Sequence, residues 1–198
     1  MTQTDPLLEE ALERLRSLLE KVKTTELSEP AAVCLATADA DGRPRARMVL
    51  MRGLDARGCI FYTNLRSRKG RHLAENPHAA LCFHWHPLAQ QVTVEGVIEA
   101  VTDAEADAYW ATRARESQIG AWASLQSERL PSRFTLLRRV LTETARFGTR
   151  RIPRPPHWSG FRLLPSRIEF WSNRPARLHD RQCYEAGDSG WHKYLLYP

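Results

Sequence analysis

Hydrophobic residues recur at helical spacing close to the start of the chain. Between residues 6 and 24 the opposite face is charged, which is typical of an amphipathic helix lying on a core. The pattern therefore predicts a helix over 6–24, whose apolar face consists of Leu7, Leu8, Ala11, Leu15, Leu18, Leu19 and Val22.

Short apolar segments separated by turn residues follow this helix. The turns at 39–42 and 55–58 contain the Asp and Gly residues typical of tight connections between antiparallel strands. The segments that flank them, 31–37, 45–51 and 58–63, are predicted strands. Further strands are predicted at 79–85, 91–100, 161–170, 176–181 and 191–196.

Helices are inserted between the later strands. Ser67 is a candidate N-cap for a short helix that ends near Glu75, because Asn76-Pro77 stops it. Three more helices are predicted at 103–113, 117–125 and 132–147, and the Pro-rich run 153–156 is an extended connector. We expect a mainly β fold with flanking helices, a β-barrel in a single domain over 1–198, with the helix in 1–28 and the barrel with its inserted helices in 29–198.

Composition excludes several classes of protein. A hydrophobic content of 42% is ordinary for a globular chain, and no apolar run approaches the roughly 18 residues that a bilayer span needs. The polar start of the chain does not resemble a secretion signal, so we expect a cytoplasmic protein with reduced thiols at its four separated cysteines. His84 and His86 have no acidic or thiolate partner nearby in sequence, so no metal site is predicted.

The net charge of +6 is concentrated in arginine, with 25 Arg against 4 Lys. Arg clusters at 43–52, 66–71 and 150–154, whereas residues 5–20 are acidic. Guanidinium groups bind phosphate with two parallel hydrogen bonds, so a small phosphorylated ligand fits these clusters at least as well as a nucleic-acid backbone does. Compositional bias would give the same excess of Arg. We do not predict a nucleic-acid partner.

Basic residues follow the strand at 58–63 directly. Arg68 and Lys69 fall at a helix start, where free backbone N–H groups already favour an anion. The segment 61–70 therefore indicates a phosphate site, although a capped surface helix with solvated charges gives the same pattern.

Other basic positions extend this chemistry. Arg47 and Arg52 lie at the ends of one strand segment and point to opposite faces unless the strand bulges. Arg113 and Ser117 flank a helix start and form a second candidate anion site. Two such sites suit a phosphorylated cofactor beside a phosphorylated substrate.

The most informative stretch is residues 177–181. If it is extended, Arg177, His179 and Arg181 share one face, and that face favours an anionic or electron-rich ligand. A solvated edge strand with scattered charge is the alternative.

Seven segments in register resemble the pyridoxamine 5′-phosphate oxidase family over about 29–198. They read RMVLMR, FYTNLRSRKG, QVTVEG, RARESQIGAWASLQS, PRPPHWSGFRL, IEFW and RLHDR. The resemblance implies a split β-barrel that forms a homodimer and holds two flavin mononucleotides (FMN) at the subunit interface.

The resemblance also implies roles for individual residues. Arg177 and His179 would be catalytic, because they match the pair that orients the pyridine ring of the substrate against the flavin. Substrate binding would also involve Arg52, Tyr109, Arg113 and Ser117. The flavin contacts would be Arg47, Met48, Val49, Leu50, Arg52, Tyr62, Thr63, Arg68, Lys69, Gln91, Gln126, Ser127, Trp171 and Arg181.

The implied reaction is oxidation of pyridoxamine or pyridoxine 5′-phosphate to pyridoxal 5′-phosphate, with oxygen as acceptor and hydrogen peroxide as product. The alternatives are a related flavin oxidase of another aromatic substrate, as in phenazine assembly, and a flavin- or pyridoxal-phosphate-binding protein without turnover.

Three departures from the family pattern bear on this expectation. Arg52 stands where the family usually has Lys, and its planar fork changes the fit of a substrate phosphate. The residues before Asp5 lack the Arg and Tyr of a lid that many relatives carry, so we expect a more open site. The tail 194–198 lacks an Arg that relatives often have there.

Overall fold

The computed structural model describes residues 5–198. Its helices are α1 (Pro6–Lys23), α2 (Arg68–Glu75), α3 (Asp103–Thr112), α4 (Arg115–Ala123) and α5 (Arg133–Phe147). Its strands are β1 (Ala32–Ala38), β2 (Pro44–Asp55), β3 (Gly58–Asn64), β4 (His78–Trp85), β5 (Gln90–Ala100), β6 (Trp158–Ser172), β7 (Asp180–Gly187) and β8 (Gly190–Leu195). Short 3₁₀ turns occur at His86–Leu88 and Pro175–Arg177. None of these helices is long and apolar enough to cross a membrane.

The strands form one antiparallel sheet that closes on itself. Their order is β3-β2-β1-β4-β5-β6-β7-β8, and an additional pairing of β3 with β6 closes the first six into a barrel. Strands β7 and β8 continue the sheet beyond the closure. The predicted mainly β fold, a barrel with flanking helices, is confirmed.

Strand β6 turns a corner that makes the closure possible. The register with β5 shifts between Glu95 and Gly96, and Pro165 lies opposite Gly96. The two backbones approach so closely that a Cβ on Gly96 would lie 2.0 Å from the Leu164 carbonyl oxygen. Only glycine fits there, and the bend lets β6 pair with β3 before the corner and with β7 after it.

Two clusters of buried side chains support the fold. The larger one fills the barrel with alternate strand residues such as Leu35, Phe83 and Val94, and the apolar face of α1 packs against it. The smaller one lies beneath α3, α4 and α5 and contains Trp110, Ile119, Phe147, Ile152 and Trp158. This second cluster fixes the helices that carry several of the predicted site residues.

The structure corrects the predicted boundaries near the end of the chain. Residues 176–181 are not a strand, because Pro175 begins a 3₁₀ turn and β7 starts only at Asp180. The continuation of β7 to Gly187 was missed, and β6 is longer than 161–170 at both ends. The helix predicted at 117–125 begins two residues earlier, at Arg115, so Ser117 lies inside its first turn.

Candidate functional site

Lys69 lies in a half-buried position at the junction of β3 and α2. Its Nζ atom donates to Gln126 Oε1 at 3.0 Å, to Thr63 Oγ1 at 3.1 Å and to Ser67 Oγ at 3.3 Å. Burial, reinforced by the charge of Arg47, lowers the pKa of this ammonium to about 8. The contacts leave the positive charge with neutral oxygen partners only, which favours an anionic ligand.

Arg47 on β2 adds a second cation to the same place. Its guanidinium donates to the Leu35 carbonyl at 2.8 Å and to Thr37 Oγ1 at 2.9 Å, and burial lowers its pKa. A cavity of about 370 Å³ opens here, lined by Arg45, Ala46, Arg47, Arg68, Lys69 and Ser127. Four of these six residues are cationic and none is acidic, so the cavity is suited to a phosphate group.

Arg113, the C-cap of α3, forms a second cationic site. Its guanidinium lies 5.0 Å from the Trp158 ring and donates to the Ser117 carbonyl at 3.2 Å. Its Nε atom is buried and has no hydrogen-bond partner within residues 5–198. Burial lowers the pKa of Arg113, and the nearby charge of Arg52 lowers it further. A buried donor without a partner points to a ligand that supplies the acceptor.

A stack of aromatic rings forms one wall of this second site. The rings of Tyr62 and Tyr109 are 4.1 Å apart and nearly parallel, and Trp158 continues the stack 5.4 Å from Tyr62. The adjoining cavity has a volume of about 310 Å³ and is lined by Tyr62, Thr63, Asn64, Arg113, Ser117, Gly120, Ala121, Ser124, Gln126 and Trp158. Because Gln126 also binds Lys69, the two cavities are neighbours.

The remaining β2 residues are distributed over both faces of the strand. The register with β3 shifts between Met51 and Gly53, so Arg52 lies in a bulge and is exposed. Met48 is 62% exposed on the outer face of the barrel, and Val49 packs against the core. From this bulge the charge of Arg52 lies near enough to Arg113 to lower its pKa. The bulge was one of the two alternatives that the sequence allowed for this strand.

A separate group of predicted residues lies on the outer face of β5, β6 and β7. Trp171 lies directly opposite Gln91 on one side and Arg181 on the other. Its ring is 4.6 Å from the ring of His179. Arg181 donates to Glu169 Oε1 at 2.7 Å and to the Tyr197 carbonyl at 2.9 Å, so its charge is partly offset by a carboxylate.

Arg177 and His179 lie on the turn before β7. Ala176 and Arg177 have φ values of 54° and 60°, a left-handed conformation that is strained for residues other than glycine. The Arg174 backbone N–H donates to His179 Nδ1 at 3.2 Å. A neutral His179 therefore carries its proton on Nε2. The predicted row of Arg177, His179 and Arg181 on one strand face is wrong, because the turn redirects Arg177.

The predicted residues thus form two clusters. We call Arg47, Thr63, Lys69, Arg113 and Gln126 the barrel-end cluster, and Gln91, Trp171, His179 and Arg181 the outer-face cluster. The two clusters lie at opposite ends of β6: Ser159 pairs with Thr63 of the barrel-end cluster, whereas Trp171 lies twelve residues farther along the strand, up to about 40 Å away, with the bend at Pro165 between them. Both cavities described above are lined without any outer-face residue.

Sequence reasoning missed two groups beside these clusters. Arg162 is 3% exposed on β6 and binds Glu105 at the start of α3, whereas Glu169 on β6 binds Arg181. The Thr102-x-x-Glu105 capping signal was available from the sequence, but the partner of Glu105 was not. The expectation of a missing lid depends on residues before Asp5, which lie outside the described residues.

Comparison with known proteins places both clusters inside matched regions. Residues 18–146 match the family model described as pyridoxamine 5′-phosphate oxidase. Residues 158–198 match the model described as the pyridoxine 5′-phosphate oxidase C-terminal dimerisation region.

Curated relatives are similar over nearly the whole chain. The pyridoxine/pyridoxamine 5′-phosphate oxidase of Rhodospirillum rubrum is 57% identical over 185 residues, covering 91% of this chain and 92% of the relative. The protein of that name from Myxococcus xanthus strain DK1622 is 53% identical over 187 residues, covering 94% and 91%.

Solved structures agree with the architecture. PhzG from Burkholderia lata 383, in complex with tetrahydrophenazine-1-carboxylic acid, superposes with a TM-score of 0.90 at 32% identity, covering 100% of this chain and 94% of that one. A pyridoxamine 5′-phosphate oxidase-related, FMN-binding protein from Nostoc punctiforme has a TM-score of 0.67 at 19% identity, covering 96% and 95%. The predicted split β-barrel is confirmed.

Proposed function

Because the chain belongs to the pyridoxamine 5′-phosphate oxidase family, we propose that it oxidises pyridoxamine or pyridoxine 5′-phosphate to pyridoxal 5′-phosphate. Oxygen is the electron acceptor and hydrogen peroxide is the second product. The observation that carries this proposal is the buried Nε of Arg113, which has no hydrogen-bond partner among residues 5–198, in a cavity next to the one formed by Arg47 and Lys69. Two adjacent cationic cavities suit one phosphorylated substrate and one phosphorylated cofactor.

The residues present fit FMN. The phosphate of FMN would bind to Arg47, Arg68 and Lys69, whose cationic cavity contains no acidic lining residue. When bound, FMN supplies a two-electron acceptor that oxygen can regenerate. The further proposed contacts are Met48, Val49, Leu50, Arg52, Tyr62, Thr63, Gln91, Gln126, Ser127, Trp171 and Arg181.

A homodimer is part of the proposal. The match of residues 158–198 to a dimerisation region supports it. The separation of the barrel-end cluster from the outer-face cluster supports it independently, since a ligand in contact with both requires the second cluster from another copy. We therefore place FMN at the subunit interface, between the barrel-end cluster of one chain and the outer-face cluster of its partner.

Substrate would be held by its phosphate at the barrel end. Arg113 offers an Nε donor that no residue in the described part of the chain engages, and Tyr109, Ser117 and Arg52 complete the proposed phosphate site. Arg52 keeps the positive charge that lysine usually supplies in the family, and it lies exposed in a bulge of β2.

Arg177 and His179 would orient the substrate ring. A guanidinium remains protonated under all ordinary conditions, so Arg177 positions and polarises the substrate and does not act as a base. The Arg174 N–H bond to Nδ1 leaves Nε2–H of His179 as a donor toward the substrate. Arg181 would stabilise negative charge on the bound flavin. Glu169 would keep the Arg181 guanidinium in place.

The test is turnover by purified, flavin-loaded protein given pyridoxamine 5′-phosphate in air. Stoichiometric appearance of pyridoxal 5′-phosphate and peroxide is expected. A flavin that stays oxidised when substrate is added without oxygen would refute the proposal. In that case, reduction by a phenazine precursor would indicate the other oxidase class, and no reduction by either compound would indicate a binding protein.

A further inference from the structure

Arg162 is a buried cation that joins three parts of the fold. It donates to Asp55 Oδ2 at 2.7 and 3.0 Å, to Glu99 Oε1 at 3.2 Å and to Glu105 Oε1 at 2.6 Å. Its side chain is 3% exposed. The three carboxylates come from the end of β2, from β5 and from the first turn of α3. A single guanidinium therefore links α3 to the barrel wall.

Glu105 divides its two oxygens between different tasks. Oε2 accepts hydrogen bonds from the Thr102 N–H and hydroxyl, both at 2.8 Å, and so caps α3. Oε1 binds Arg162. These bonds, led by the one from Arg162, lower the pKa of Glu105 to about 2, so the carboxylate is charged at any physiological pH.

The proposed substrate-phosphate site lies at the other end of α3. Tyr109 stands one turn after Glu105 and stacks on Tyr62, whose hydroxyl donates to the Glu105 carbonyl at 3.5 Å. The helix ends at its C-cap, Arg113. The contact that holds Glu105 against Arg162 on β6 therefore bears on where α3 places Tyr109 and Arg113.

Further ionic and hydrogen-bonded contacts also hold α3. Arg154 pairs with Asp103 and Asp107, but these carboxylates are 88% and 59% exposed, and ion pairs of that kind contribute little. Trp110 Nε1 donates to the Ile152 carbonyl at 2.9 Å and anchors the last turn of the helix to the loop before β6. Among the residues that the structure describes, Arg162 makes the buried ionic contact between α3 and the barrel.

We propose that Arg162 is a positioning residue for the substrate-phosphate site, acting through Glu105 to fix α3 and thereby Tyr109 and Arg113. This rests on the proposed function, since it assigns those two residues to the substrate. Arg162 itself lines neither of the two cavities described above. Its loss is expected to change substrate affinity while leaving the flavin phosphate site at Arg47 and Lys69 unchanged.

Substitution of Arg162 would leave three carboxylates together and could prevent folding, so the test uses its partners. Glu105→Gln keeps an oxygen for the Thr102 cap and turns an NH₂ group toward Arg162. Asp55→Asn is the matched control. Asp55 Oδ1 accepts from the Arg57 and Gly58 N–H groups, and asparagine retains that oxygen while its NH₂ also faces Arg162.

Glu105→Gln should raise the KM for pyridoxamine 5′-phosphate about tenfold, with kcat and flavin content changed by less than about twofold. Both variants should lower the melting temperature to a similar extent, because each replaces one carboxylate partner of Arg162. Asp55→Asn should nevertheless leave KM within about twofold of the parent value. Equal KM shifts in both variants, or none in Glu105→Gln, would reduce Arg162 to a purely structural residue and overturn the proposal.

Near-ultraviolet circular dichroism separates this proposal from the proposed function. The signal of the Tyr62–Tyr109–Trp158 stack should change in Glu105→Gln and not in Asp55→Asn, whatever the substrate is. If the parent protein does not turn over pyridoxamine 5′-phosphate, the function fails, and the dichroism alone decides whether Arg162 positions α3. An unchanged spectrum in Glu105→Gln would overturn the positioning role.

Discussion

FMN affinity is expected to fall as the pH rises through 8, because Lys69 loses its proton. Burial and the charge of Arg47 lower the pKa of this lysine to about 8 in the free protein. A bound phosphate dianion stabilises the ammonium and raises its pKa again. Below about pH 7 the lysine is already charged and binding takes up no proton there. Above pH 8 binding must first reprotonate it, so the affinity declines.

The size of this decline follows from the lowered pKa. With a value of about 8, the protonated fraction of Lys69 in the free protein drops from roughly nine tenths at pH 7 to roughly one tenth at pH 9. The dissociation constant of FMN should therefore rise about tenfold over that interval, or ~1.4 kcal/mol. The second ionisation of a phosphate monoester, near pH 6, is complete throughout this range and does not contribute.

The dissociation constant can be measured from the quenching of FMN fluorescence by the apoprotein. The titrations are made at constant ionic strength from about pH 6.5 to about pH 9.5. Lys69→Arg is the control, because a guanidinium stays charged over this pH range. The FMN affinity of this variant should therefore not change with pH above pH 7. A flat profile for the parent protein would contradict the reasoning. So would the same slope in Lys69→Arg, since the titrating group would then lie elsewhere.

Three further outcomes are expected. Arg177→Ala should reduce turnover far more than flavin content, whereas Arg68→Ala should lower flavin retention. Equal flavin loss in both variants would contradict the assignment of Arg177 to the substrate and of Arg68 to the flavin phosphate. Gly160→Ala should lower the free energy of unfolding by about 1–3 kcal/mol and raise KM, because a Cβ there would lie 2.6 Å from the Tyr62 ring. Urea denaturation measures the first effect and steady-state kinetics the second. Ala176→Gly should raise the free energy of unfolding by up to about 1 kcal/mol, because glycine tolerates the φ of 54°, and a lower melting temperature would argue against this turn.

The barrel was predictable because its signals are local. Alternating apolar residues and Asp-Gly turns identify β1 to β5 within a few residues of their observed bounds, and Ser67 caps α2 as expected. The turn at 175–177 was not predictable in the same way. Two consecutive left-handed residues, neither of them glycine, leave no compositional trace, so the charged stretch was interpreted as a strand.

The relation between distant residues was the other gap. Basic residues of both clusters were recognised from their types, but only the strand pairing shows that the two clusters lie at opposite ends of β6, on either side of its bend at Pro165. The bulge that redirects Arg52 and the burial of Arg162 among three carboxylates are likewise products of pairing. Neither the Arg52 bulge nor the burial of Arg162 can be inferred from the spacing of residues along the chain.

Strand β6 extends from Trp158, which lines the barrel-end cavity, to Trp171 in the outer-face cluster. In the proposed dimer these two ends serve different catalytic centres. A single chain then contains no complete catalytic centre, because every centre is assembled from residues of two copies of the chain. A change in the length or bend of this single strand would alter both centres together, from opposite sides.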